Sequence, residues 1–485
     1  MANVRLVAKN STYLITENLI TRAIDFIVLI ILLNQYLPIE KFGFYNWVIS
    51  YLNMFAIFVD LGMNGILQRE IARDDSLSVN YMGTSLTFSA LMSVILLILS
   101  GIFYAVFYKS FGFSVETVKI LIFATPYIIF SSKIKSYRKL VDVMYIVRYK
   151  ILYIVIFNIL GRLILLIWVW MIIVNNGTLF QIIIAMTFSD FPGFLCIFLL
   201  YFRLFPKPKF GINKKLLISL LKKSYPLFFG AMFLVINLRI SILIIPYFMT
   251  PKDISIFRIS SMVPEILTFF PMAILIPLGP ILSKKYIENK DAFFDVYSFI
   301  VKFLAFISIP IVLIFFSHME GVIRVLTIAK KMEFVGSVLP GKIIIFSQFF
   351  VFISTVFYYS LVTSDKQKYQ LIVQVCSGIL NIILNIILIP IHGIVGASIA
   401  IVVSYGIFLP IGLLIKETRK LCVIILKVLP KPILASSAVL LSCIYFGEKF
   451  YLSIPVGILL YILLLIMMKA IKSRDKEIIT ELLGR

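Results

Sequence analysis

Six charged side chains, Arg22, Asp25, Arg162, Arg239, Arg258 and Lys302, lie inside apolar stretches of about twenty residues, where a charge is costly unless it meets a partner or water. Their spacing is helical. Glu17, Arg22 and Asp25 project within about 140° of arc at 100° per residue, so they share one face. Asn46, Asn53 and Asp60 recur every seven residues and make a polar stripe along the next stretch. Asn158 and Arg162 are four apart, Arg258 and Glu265 seven apart, and Gln374, Gly378, Asn381 and Asn385 fall on one helical face. Asn237 accompanies Arg239. The cations Arg22, Arg162, Arg239, Arg258 and Lys302 outnumber the carboxylates Glu17, Asp25, Asp60 and Glu265, so a ligand meeting these faces is expected to be anionic. Guanidinium suits that role, because its planar fork grips phosphate oxygens and stays charged in any surroundings. The alternative is structural. Arg22 with Asp25, or Arg258 with Glu265, would be buried ion pairs that fix helix register, Lys302 would snorkel from a span end, and the Asn and Gln stripes would hold helices together.

The elements that must carry these residues are membrane helices. Hydrophobic residues make up 61% of the 485 and charged ones 14%, against roughly half and a quarter in a soluble domain. About fourteen apolar stretches of spanning length follow one another, which leaves no room for a soluble catalytic domain. The fold class expected is therefore all-α integral membrane. The longest basic connection, from Arg203, holds Pro206, Pro208 and Gly211, which cannot continue a helix. It divides the chain into an N-terminal lobe of six spans over 1–205, a basic linker over 206–223, a C-terminal lobe of six spans over 224–418, and two peripheral spans with a tail over 419–485. The fourth span is expected at 118–136, and the basic inner connection at its end holds Lys133, Lys135, Arg138, Lys139, Arg148 and Lys150. Prolines interrupt several spans, at Pro126, Pro246 and Pro310, and crowd the eighth at Pro264, Pro271, Pro277 and Pro280. Each removes a backbone hydrogen bond and kinks a helix, as in the broken helices of transporters.

The net charge of +23 comes from short connections rather than one basic face, which excludes a nucleic-acid partner. With the amino terminus inside, the inner connections hold about thirty Lys and Arg and the outer ones about eight, so both termini are expected in the cytoplasm. The first stretch carries Glu17, Arg22 and Asp25 and has no small-residue cleavage site, so it is expected to remain as a helix. Cys196, Cys376, Cys422 and Cys443 have neither paired nor metal-ligand spacing and read as packing residues. Gly336 to Lys342 reads GSVLPGK, but Ile343 stands where a phosphate loop needs Ser or Thr, and no strand precedes it. His318 and His392 lie in separate connections, which excludes a histidine-based zinc site or catalytic triad. No catalytic residue, metal or cofactor is expected.

Three segments carry a family resemblance: NSTYLITENLITRAIDFIVLIILLNQYLPIEKFGFYNWV from Asn10, DLGMNGILQREIAR from Asp60, and LNIILNIILIPIHGIVGASIAIVVS from Leu380. The sequence resembles the Wzx-type polysaccharide-transport flippases, within the multidrug/oligosaccharidyl-lipid/polysaccharide superfamily that also holds the lipid II flippases and the multidrug and toxin extruders. The resemblance implies two pseudo-symmetric six-helix lobes plus two C-terminal helices in a bacterial inner membrane. It implies that an undecaprenyl-pyrophosphate-linked oligosaccharide, for capsule or O-antigen, crosses from the cytoplasmic to the outer leaflet by alternating access. The candidates to meet its pyrophosphate or acidic sugars are Arg22, Arg162, Arg239 and Arg258. It also implies polymerase and chain-length proteins as pathway partners and membrane lipid as surroundings. Net direction is expected either from later consumption of the lipid-linked unit or from a proton or sodium gradient, with Asp25, Asp60 or Glu265 as the protonatable partners. The family often places a carboxylate in the seventh span. Here that segment reads NLRISILI with Ser241 near the place, which leaves coupling there without its usual residue. A multidrug extruder or a lipid II flippase is the alternative within the superfamily, and a membrane glycan polymerase or ligase the alternative outside it. The longest outer connection, from His318 to about Leu339, is short for such an enzyme's catalytic loop.

Overall fold

A computed structural model describes residues 2–447, 449–470 and 475. Helix is the one kind of regular secondary structure among the described residues, with no strand among them. Ten helical runs among them are long and apolar enough to cross a membrane. That number differs from the fourteen expected for two physical reasons. Gln367–Leu414 contains two of the expected crossings, at 369–389 and 393–415. Its backbone leaves the helix at Gly393, at φ 59° and ψ −141°, a conformation open to glycine. Ser377 Oγ donates to the Ser404 carbonyl at 2.6 Å, although 27 residues of straight helix would separate them by about 40 Å. The chain therefore doubles back at Gly393. The other expected crossings that are missing fall short as single apolar spans: the fourth is divided into short pieces, while Ala2–Phe26 and Ile39–Ala56, in the first two, are long enough but too polar.

The chain forms two compact units, Met1–Ser255 and Ile256–Arg485. In the first, Ser78–Phe107 shows how these helices are built. Ser85, Ser89, Ser93, Ser100 and Tyr104 are buried, while Val94, Ile98, Leu99, Ile102 and Val106 are half or more exposed. This reverses the soluble pattern: small polar residues allow close helix approach, and large apolar ones face acyl chains. Ser93 Oγ donates to the Ser89 carbonyl at 2.7 Å, which satisfies the hydroxyl within its own helix.

Helices in this unit break where polar groups gather. The Ala2–Phe26 helix passes into a π-helical segment, Ile27–Leu33, immediately after Asp25. The fourth crossing consists of three pieces, Glu116–Ala124, Tyr127–Phe130 and Tyr137–Val147. Pro126 lacks the N–H that would join the first two, and Ser131–Ser136 runs without helix before the third. Ser136 caps that third piece, accepting from Lys139 N at 3.4 Å. The expectation of one span at 118–136 followed by a basic connection is thereby corrected. Residues 137–147 are helical and Arg138 is fully buried, because partners described below neutralise it. The sixth crossing likewise divides into Leu179–Phe188 and Phe191–Leu204, with Pro192 opening the second piece and Asp190 at the corner.

In the second unit, Lys290–Thr327 is a long central helix carrying Pro310. The last two helices, Pro430–Phe446 and Phe450–Met467, pack against it along one face. Ser453, Gly457, Tyr461 and Leu465, spaced by four, form the buried stripe of the last helix. Tyr461 donates to the Phe306 carbonyl at 3.2 Å, and Ser442 to the Ser453 carbonyl at 2.8 Å. Leu434, Leu441, Leu459 and Ile466 on their other faces are exposed to the bilayer side.

Candidate functional site

The breaks in the first unit bring a cluster of charges together. Asp190, at the corner of the sixth crossing, is completely buried. Its Oδ2 accepts from the Ser132 backbone N–H at 2.7 Å, from Ser132 Oγ at 3.0 Å, and from Arg162 Nη2. The Ser132 N–H is free to donate because the helix is unwound there, so the discontinuity supplies the donor that a continuous helix would have consumed. Gly161 gives the carboxylate room: a Cβ at that position would collide with Asp190 Oδ1.

Arg162 and Asn158, one turn apart on Ile151–Val174, both face the cluster, as their spacing indicates. Arg162 also donates to Ser132 Oγ at 3.3 Å, and its Nη1 lies 3.9 Å from Asp25 Oδ1. Asn158 bridges two helices, accepting from Arg138 Nη2 at 2.6 Å and donating to Glu17 Oε1 at 3.0 Å. Arg138 donates in addition to the Asp190 carbonyl at 3.2 Å. Lys133, from the unwound segment, pairs with Asp25 Oδ2. Arg162 and Lys133 thus pair with the carboxylates of Asp190 and Asp25, while Arg138 is held by the Asp190 backbone carbonyl and by Asn158, which in turn bonds Glu17. A buried network of this kind persists only if its charges balance and its donors are used.

Burial divides the cluster into two tiers. Arg138, Arg162, Asn158 and Asp190 are buried. Lys133 keeps 34% and Asp25 29% of the side chain exposed. Arg22, one turn before Asp25, is exposed, and half-buried Arg239 on Lys214–Phe248 lies within electrostatic range of Tyr127, as do Arg162 and Asp190. The accessible edge therefore carries Lys133, Arg22 and Arg239 against Asp25 and Glu17, one cation in excess.

The remaining expected residues make contacts of their own. Asn53 donates to the Ile49 carbonyl of its own helix at 2.8 Å. Buried Asp60 accepts from Gly62 N at 3.1 Å and holds a turn in which Leu61 and Gly62 have positive φ. In the second unit Arg258 Nη1 pairs with Glu265 Oε1 at 2.7 Å. Lys302 donates to Asp475 Oδ1 and Oδ2 at 2.8 and 2.6 Å. Buried Asn381 accepts from Asn385 Nδ2 at 2.7 Å. Sequence reasoning passed over Asp190 and set Lys133 and Arg138 among loop charges. A signal was present: Asp190 is the one acidic residue between 180 and 202, with Pro192 two positions on, which marks a carboxylate at a helix break.

This arrangement, helices broken around a balanced polar cluster inside a bundle of apolar spans, defines a multi-pass membrane protein built as transporters are. Residues 7–286 match the family model described as "Polysaccharide biosynthesis protein". The chain belongs to that family. Its fold is similar to that of the lipid II flippase MurJ in an inward closed conformation, at TM-score 0.73 and 16% identity over 95% of this chain and 99% of the other. It is similar also to an inward-facing multidrug resistance MATE family transporter of the MOP superfamily, at 0.62 and 16% identity over 84% and 95%. A further similarity is to a MOP superfamily transporter from Pyrococcus furiosus whose binding pocket is described as of reverse polarity, at 0.54 and 13% identity over 86% and 94%. The curated proteins include no match.

Proposed function

We propose that this protein flips an undecaprenyl-pyrophosphate-linked oligosaccharide, a capsule or O-antigen repeat unit, from the cytoplasmic to the outer leaflet of a bacterial inner membrane, with both termini cytoplasmic. The observation that carries the reading is the two-tier cluster of the first unit. Its inner tier, Arg138, Arg162, Asn158 and Asp190, is held together by mutual contacts and acts as a scaffold. The scaffold fixes Lys133, which with Arg22 presents positive charge at the accessible edge. A pyrophosphate arriving there competes with Asp25 for Lys133, and the charge-assisted bonds it gains offset its desolvation. Arg239 adds a further cation near the cluster, while Arg258, paired to Glu265, serves the second unit.

The same geometry gives a role to an ion gradient. Asp25 is the accessible carboxylate of the pair, so a proton or sodium ion bound to it would release Lys133 to the phosphate. Six spans on either side of the basic segment 206–223 would form the lobes whose alternating exposure moves the headgroup, with 419–485 outside them. Polymerase and chain-length proteins would take up the delivered unit. The family membership supports the polysaccharide reading over a multidrug one, and the cationic edge suits an anionic headgroup rather than an organic cation. The test is transport in proteoliposomes. A pyrophosphate-linked oligosaccharide on a polyprenyl tail should become accessible to an impermeant lectin, and a lipid with the same glycan on a neutral linkage should not. Equal movement of both lipids refutes the proposal.

A further inference from the structure

The second unit contains a basic cavity with no part in this reading. It has a volume of about 310 Å³ and is lined by Lys302, Lys427, Lys431, Ser298, Phe306 and neighbouring apolar residues. Lys302, 12% exposed, forms the floor and is neutralised by Asp475. Lys431 Nζ donates to the Met468 and Lys469 carbonyls at 2.8 and 3.2 Å, which ties it to the end of the last helix. Lys427 is exposed and makes no ion pair or hydrogen bond among the described residues. Among the described residues, with Asp475 set against Lys302, the charges of Lys427 and Lys431 are left over.

The depth of the cavity in the membrane follows from its surroundings. The Lys416–Val428 helix is amphipathic: Thr418, Leu421, Cys422 and Ile425 are buried, while Lys416, Arg419, Lys420 and Lys427 are exposed. Such a helix lies in the interface plane. Just beyond Lys431, Ile433 and Leu434 are 50% and 62% exposed on the side chain of a spanning helix, so hydrocarbon begins there. The surplus lysines therefore stand at phosphate depth, beside bare apolar surface that acyl chains would cover.

We infer that this cavity binds the headgroup of an acidic phospholipid, with the phosphate between Lys427 and Lys431 and the acyl chains along the Ile433 and Leu434 face. Basic recesses between membrane helices at headgroup level recognise anionic lipid in this way. An acidic lipid held here braces the last two helices against the central one.

The test uses the full-length protein in nanodiscs containing phosphatidylglycerol and phosphatidylcholine, with native mass spectrometry of the lipid retained on release. The wild type should retain phosphatidylglycerol. Lys427→Gln should weaken retention about fivefold, and the Lys427→Gln, Lys431→Gln pair about thirtyfold, at roughly a factor of five per lysine. Lys207→Gln with Lys209→Gln, which removes equal charge from the exposed basic segment, should change nothing. Equal loss in both double variants, equal retention of phosphatidylcholine, or displacement of the lipid by millimolar inorganic phosphate would each overturn the assignment. Lys427 has no structural contact to lose, so its single variant separates lipid binding from folding.

Discussion

Converting Asp190 to asparagine tests whether the buried tier is a scaffold. Asp190 is fully enclosed and Arg162 is 2% exposed, so the change leaves a guanidinium buried without its main counter-charge. Breaking one partner of such a pair costs about 3–5 kcal/mol. The amide can still accept from Ser132 N, and the backbone carbonyl still accepts from Arg138, so the loss is the charge and little else. At a few degrees per kcal/mol, the melting temperature in detergent should fall on the order of 10 °C. Joining Asp190→Asn to Arg162→Met removes both charges and should return stability to within about 1–2 kcal/mol of the wild type, because a buried pair replaced as a unit is close to neutral. Thermal unfolding of the four proteins closes a double-mutant cycle. Additive losses, or a single substitution costing under about 1 kcal/mol, would refute the scaffold reasoning.

Gly161→Ala drives a methyl into the Asp190 carboxylate and should destabilise by about 1–3 kcal/mol as overpacking, read from the same melts. Lys133→Gln should leave the melting temperature nearly unchanged, since the side chain is a third exposed, while lowering transport about tenfold or more in proteoliposomes. Arg162→Ala should abolish surface glycan together with stability, whereas Lys207→Ala should affect neither, as glycan immunoblots and membrane protein levels would show. Hydrogen bonds from Arg69 and Lys223 hold the Glu70 carboxylate below its ordinary value. Its contribution is present above the unfolded carboxylate range and lost as pH falls through the lowered value, so Glu70→Gln should lower stability modestly at neutral pH, flatten the acid limb of the stability profile, and match the wild type only at low pH.

Much of the fold was legible because the bilayer imposes one rule on every span. Apolar length and the small polar stripes, such as Ser85, Ser89 and Ser93, give helices and their inward faces directly. The spacing of Asn158 and Arg162 likewise placed both in one cluster. What the sequence concealed was the breaks. Arg138 and Lys133 belong to a run of cations between apolar stretches, which reads as a connection, and only the unwound Ser131–Ser136 segment brings them against Asp190 and Asp25. The partner that makes Arg138 bearable in a core is Asp190, 52 residues further on, and no local periodicity reports such a pairing. Helical stripes give the faces of Asn53 and Asp60 but not their hydrogen bonds, which go to the helix of Asn53 itself and to a turn at Asp60.

The central claim is that Lys133, fixed by the inner tier, and Arg22 beside it meet the pyrophosphate. The most direct measurement is the affinity of the purified protein in nanodiscs for a polyprenyl-pyrophosphate oligosaccharide, comparing wild type with Arg22→Gln, Lys133→Gln and the two combined. The account predicts that each substitution weakens binding about tenfold, with the melting temperature preserved and the slope of affinity against salt reduced. Unchanged affinity in the combined variant would contradict it.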